Sequence, residues 1–230
     1  MARDRTDGRR RIFRRRRRAL LAAALCVWAA SIVETRGQDL AGDVARGKIR
    51  SKAEQCQECH GEAGQGTADH YPRLAGQWSA YLRKQLGDFQ SGARKNEIMT
   101  AMASELSPQD IADIAAYFSA APAVAGRPGS ASARGEELFR RGDPARALPA
   151  CASCHGLAAE GVGVEGDPVP VLAGQSEIYL ANQLFFWKVE DRHNSAGGVM
   201  NAVARALSAE EIDALANYLS GLRPAEQKKD

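Results

Sequence analysis

One short pattern, Cys-x-x-Cys-His, occurs twice in this chain: Cys56-Gln57-Glu58-Cys59-His60 and Cys151-Ala152-Ser153-Cys154-His155. It anchors a longer internal repeat. The two copies lie 95 positions apart. At an offset of 98, Leu74-Ala75-Gly76-Gln77 matches Leu172-Ala173-Gly174-Gln175, and Pro72 matches Pro170. Tyr81-Leu82 and Gln85-Leu86 match Tyr179-Leu180 and Gln183-Leu184 at that same offset of 98. Met99, Leu106-Ser107 and Tyr117 match Met200, Leu207-Ser208 and Tyr218 at 101. A chain of 230 residues so divided has two halves of about 80–90 residues, each too small to bury a thick core of its own.

The repeated pattern carries chemistry. Two thiols three positions apart on one turn reach the two vinyl groups of a porphyrin and form thioethers, and the adjacent imidazole then sits beneath the ring. Cys-x-x-Cys-His is accordingly the attachment pattern for c-type haem. Cys56, Cys59, Cys151 and Cys154 are the expected tethers, and His60 and His155 the expected iron ligands. Three other uses of the same residues remain open at this point. They are a disulfide framework, a redox-active Cys-x-x-Cys pair that would not need the His, and a four-cysteine zinc site that would leave both His unexplained. Haem iron in electron-transfer cytochromes takes a thioether opposite the imidazole. Met99 and Met200 each stand seven residues before the repeated Leu-Ser, whereas Met102 falls opposite Val203. Met99 and Met200 are therefore the expected sixth ligands, against the alternative that they only fill the core. His70 and His193 have no repeat partners and read as surface residues, with His193 a lesser alternative to Met200.

Charge is unevenly placed. Residues 1–30 hold ten Arg against Asp4 and Asp7, so the remaining 200 residues carry a net −5 although the whole chain is +3. That mildly acidic body excludes a basic nucleic-acid-binding domain. The Arg cluster is followed by an uncharged run of 15 residues, Ala19–Val33, shorter than the roughly 20 that span a bilayer comfortably. The segment reads as a signal peptide over residues 1–33, removing Cys26 and delivering the mature chain to the periplasm. An uncleaved anchor or a basic arm are the alternatives.

Helical signals alone recur. Opening helices are expected around Gly42–Gln55 and Ala133–Arg141, and middle helices around Trp78–Ser91 and Glu177–Val189. The closing helices start at Ser107-Pro108 and at Ser208 with Glu211 as a capping box; Ile111, Ile114, Ala115, Phe118 and Ile212, Leu215, Ala216, Leu219 then follow at helical spacing. The fold class is all-α, with two tandem domains over 39–121 and 133–223, a Pro- and Gly-bearing linker over 122–132, and a polar tail over 224–230.

Two Cys-x-x-Cys-His halves, each with Pro-x-Leu-Ala-Gly-Gln and a Met seven residues before Leu-Ser, resemble class I cytochromes c, and in tandem the dihaem cytochrome c4 family. The resemblance covers residues 39–223. It implies two covalently attached haem c groups, with His60 and His155 proximal and Met99 and Met200 distal. It also implies that the carbonyls of Pro72 and Pro170 accept the proximal imidazole N–H. First and last helices would cross where a Gly meets an aromatic: Gly135 with Tyr218, and Gly47 with Tyr117, where the aromatic found at Phe139 is missing. The halves would face each other across a pseudo-twofold. The implied function is a monomeric electron carrier rather than an enzyme, passing single electrons between redox proteins of a respiratory chain such as a terminal oxidase. It would touch the membrane only through partner complexes and bind no nucleic acid. A cytochrome subunit of a dehydrogenase and a dihaem peroxidase are the alternatives.

Overall fold

The computed structural model describes residues 40–126 and 132–224. The expected signal peptide lies outside the described residues, as do parts of the expected linker and tail. The first half contains α1 (Val44–Ala53), α2 (Cys56–His60), α3 (Ser79–Ser91), α4 (Glu97–Ala103) and α5 (Pro108–Ala120). The second contains α6 (Ala133–Arg141), α7 (Ala152–His155), α8 (Glu177–Lys188), α9 (Val199–Arg205) and α10 (Ala209–Gly221). Two isolated bridges, Asp143 with Leu148 and Val162 with Val169, are the only β pairing among the described residues. No helix among the described residues is long and apolar enough to cross a membrane.

The sequence led us to expect three helices per half; the structure adds α2 and α4, and α7 and α9. These four are seven residues or fewer, too short for an apolar period to register. Local caps start two others as expected. Ser107 with Asp110 and Ser208 with Glu211 form reciprocal capping boxes at α5 and α10, satisfying the first free N–H groups of each helix.

Each half is built on one helix crossing, α1 on α5 and α6 on α10. A β-carbon at Gly47 would lie 1.9 Å from the Asp113 carbonyl oxygen, and one at Gly135 would lie 2.1 Å from that of Ala214. Only a hydrogen fits at either crossing, with Tyr117 and Tyr218 alongside. The crossings are thus equivalent, although one lacks the aromatic. Phe139 and Ala152 are buried in the second half. At their counterparts in the first, Ser51 is wholly buried and accepts a hydrogen bond from Gln57 Nε2 at 2.8 Å. A small residue on the opening helix is matched there by a long one on the haem-motif turn.

The halves meet through reciprocal bonds. Arg73 N–H donates to Gln175 Oε1 at 2.8 Å, and Val171 N–H donates to Gln77 Oε1 at 2.9 Å. Arg94 bonds the Tyr179 hydroxyl at 3.1 Å, and Arg192 that of Tyr81 at 3.2 Å. In each pair the residues exchange at the offset of 98, so the two halves are related by a pseudo-twofold. The described part of the linker is packed: Ala123 lies against Gly76, and the Val124 carbonyl against Gly174.

Candidate functional site

The two Cys-x-x-Cys-His segments form matching turns. In the first, Gln55 in the left-handed region (φ 56°) sets α2 on its way. In the second, the His155 N–H donates to the Cys151 carbonyl at 3.0 Å. Cys56, Cys59 and Cys151 are half-buried and Cys154 is exposed; none is paired with another. Burial pushes the Cys56 and Cys151 thiols up to about 11. A redox-active pair needs the opposite, an easily formed thiolate. Among the described residues no three His, Cys, Asp or Glu side chains come together as a metal cluster, so the four cysteines do not converge as a zinc site would require.

Both histidines are buried, at 6% and 8% exposure. Nδ1 of His60 lies 3.0 Å from the Pro72 carbonyl oxygen, and Nδ1 of His155 lies 3.2 Å from that of Pro170. A carbonyl can only accept, so Nδ1 carries the proton and donates, leaving the Nε2 lone pair unprotonated. Burial also pulls both imidazoles below their ordinary pKa. Two thiols and one oriented, neutral imidazole are the donor set that a covalently tethered haem takes, and the residues fit that group in both halves.

Met99 and Met200 lie half-buried in the first turns of α4 and α9. Each stands four residues before a wholly buried alanine, Ala103 or Ala204, and so on the helix face turned inward. Met102, also half-buried, is one position off that row. Asn96 caps α4 by accepting the Met99 N–H at 2.9 Å; Ser195 Oγ accepts the Met200 N–H at 3.2 Å. Gln90 anchors the end of α4 through the Ala103 and Leu106 carbonyls, and Lys188, its repeat partner, anchors α9 through those of Arg205 and Leu207. His70 and His193 are exposed.

Sequence reasoning missed a cluster of Arg94 and Arg192 between the halves. Both guanidiniums are buried, at 9% and 7% exposure. They share Gln85 Oε1 and Gln183 Oε1 at 2.7–3.0 Å, and stack on Phe89 and Trp187 at 4.7 and 4.4 Å. Among the described residues no carboxylate bonds either one. Burial alone would raise the Tyr179 phenol, but the two arginines bring it below its ordinary value. The signal was available, since Arg94 and Arg192 match at the offset of 98.

The Cytochrome c family model matches this chain twice, over residues 44–121 and 132–223. A protein named cytochrome c4 from Pseudomonas aeruginosa is 40% identical over 184 residues, covering 79% of this chain and 90% of its own length. A thiosulfate dehydrogenase electron acceptor from Stutzerimonas stutzeri is 41% identical over 182 residues, covering 77% and 83%. The crystal structure of reduced cytochrome c4 from Pseudomonas stutzeri superposes with a TM-score of 0.70 at 36% identity, covering 80% of this chain and all of that one. A thiosulfate dehydrogenase from Marichromatium purpuratum also gives 0.70, at 38% identity, over 79% of this chain and 40% of its own.

Proposed function

The chain belongs to the cytochrome c family and is a dihaem electron carrier, and from that premise we propose that His60 with Met99 holds one iron and His155 with Met200 the other, in a periplasmic shuttle between redox proteins of a respiratory chain. Each bound haem supplies one reversible Fe(III)/Fe(II) step, at a potential raised by thioether ligation. The chain's own residues set the conditions. Cys56 and Cys59, and Cys151 and Cys154, fix the ring by two covalent tethers. Pro72 and Pro170 hold each imidazole in one tautomer and orientation. Met99 and Met200 would supply a second protein ligand to each iron, which would leave no place for a substrate and sets this reading apart from a dihaem peroxidase. Arg94 and Arg192 provide buried positive charge suited to a cofactor bearing two carboxylates. Export to the periplasm is supported by the Arg-rich stretch and the uncharged run that follows it.

One observation carries the ligation: a buried imidazole committed through Nδ1 to a proline carbonyl, with Nε2 free, stands at matching positions in both halves. Met99→Ala and Met200→Ala test it. Each should remove about half of the near-infrared sulfur-to-iron absorption of the ferric protein. Full retention in either variant rejects that ligand.

The delivery route has two readings. A terminal oxidase is the expected acceptor of a free shuttle. The similarity to proteins named electron acceptors of thiosulfate dehydrogenase, and to a structure of that enzyme, favours a second reading in which the chain is the bound cytochrome subunit of a dehydrogenase. Native purification separates them: a free monomer supports the shuttle, a stable complex the dehydrogenase partner.

A further inference from the structure

Each proline that holds an imidazole belongs to a peptide unit whose other end reaches across the molecule. The Pro72 carbonyl accepts from His60 at 3.0 Å, while the N–H of the same Pro72–Arg73 peptide donates to Gln175 Oε1 at 2.8 Å. Reciprocally, the Pro170 carbonyl accepts from His155 at 3.2 Å, and the N–H of the Pro170–Val171 peptide donates to Gln77 Oε1 at 2.9 Å. Both glutamines are buried, at 6% and 8% exposure. Each is held at both ends. Gln77 Oε1 also accepts from Trp78 N–H, and its Nε2 donates to the Val171 carbonyl at 3.1 Å. Gln175 Oε1 also accepts from Ser176 N–H, and its Nε2 donates to the Arg73 carbonyl at 2.8 Å.

We propose that Gln77 and Gln175 are positioning residues that act across the domain boundary, each setting the redox balance of the haem tethered in the opposite half. This rests on the reading that His60 and His155 are the proximal ligands. An amide whose N–H is hydrogen-bonded is polarised, and its carbonyl becomes a stronger acceptor. A stronger acceptor at Nδ1 makes the imidazole a better donor to iron and favours the ferric state. Gln77 therefore acts on the centre at His155, and Gln175 on that at His60. Docking of the halves is then a redox control, since parting them removes both bonds at once and raises both potentials.

The test is a potentiometric titration of the holoprotein, followed by NMR of haem resonances assigned through their cysteine tethers, with the Nδ1–H resonances of His60 and His155 read in the diamagnetic reduced form. Gln77→Leu should shift the Fe(II)/Fe(III) ratio of the haem at Cys151 and Cys154 about threefold towards ferrous, about 28 mV at 59 mV per decade. The haem at Cys56 and Cys59 should move less. Gln175→Leu should do the reverse. Gln77→Glu and Gln175→Glu keep the Oε1 acceptor but give up the Nε2 donor to the Val171 or Arg73 carbonyl. The ionised carboxylate is the stronger acceptor, so at a pH where the glutamate is charged the opposite haem should move the other way and its Nδ1–H resonance should move downfield. These second variants keep the test decisive where a leucine loosens the interface. Equal shifts at both haems, a larger shift in the substituted half, or one sign for Leu and Glu alike would overturn the proposal. Failure of the ligation reading shows separately, as a parent protein whose Nδ1–H resonances lack the shift that a ligated haem imposes; that too overturns the proposal.

Discussion

Asp113 on α5 is buried at 4% exposure, yet it is fully partnered. Arg46 donates to it through Nε at 2.8 Å and Nη2 at 3.0 Å, Asp43 N–H at 2.7 Å and Gln109 Nε2 at 2.9 Å. The Arg46 guanidinium, ahead of the backbone bond from Asp43, holds its carboxyl down at about 2. Glu211 on α10 is held at about 2 by Arg146 and, after it, Arg134. A carboxyl depressed in the folded state stabilises it above the ordinary carboxylate pKa, and that contribution disappears as pH falls from about 4 to about 2. Asp113→Asn should therefore cost about 1–2 kcal/mol at neutral pH, allowing for screening at the exposed Arg46. The gap between variant and parent should close at about pH 2. Denaturant unfolding of the holoprotein at several pH values measures it, and a pH-independent gap would refute the assignment. These partners are 65–77 residues apart in sequence, so no local pattern announced them. His60, His155 and the four cysteines could be singled out as candidates because each group lies within five residues.

At the scale of elements, the crossing glycines decide whether a half can close. Gly135→Ala or Gly47→Ala drives a methyl into a backbone carbonyl that has no flexible end to yield, and should destabilise by about 3 kcal/mol. Gly87→Ala is the matched control. It lies inside α3 with nothing within 4 Å of the added carbon, and should stabilise by about 0.5–1 kcal/mol through helix propensity. Thermal unfolding of the three variants tests this, and equal effects would contradict it. The long amphipathic helices were legible, α6 to the residue, because packing and propensity agree there. The short helices bearing Met99 and Met200 were not, because side-chain caps and anchors from Gln90 and Lys188 shape them instead of a periodic stripe.

At the scale of the whole molecule, the boundary between halves is polar and specific. Trp78, expected to open the middle helix, instead precedes it and reaches into the second half. Its Nε1–H donates to the Glu160 carbonyl at 2.9 Å, and its ring lies against Gly163. Its repeat counterpart, Ser176, donates to the Asp69 carbonyl. Trp78→Ala should cost about 2–3 kcal/mol of coupling, splitting one cooperative calorimetric transition into two; a single unchanged transition would contradict it. The repeat made two domains legible, and two of its identical columns, Gln77 with Gln175 and Arg94 with Arg192, hold residues that bond across the boundary. Their pairing was hidden because a repeat reveals which residues are equivalent, not which ones touch.

Covalent attachment of one haem in each half is read from the intact mass of the purified protein after unfolding in acid. Two haem masses should remain on the parent chain, and one on the Cys151→Ser, Cys154→Ser double variant. A parent chain with fewer than two, or a double variant that loses both or neither, would contradict it.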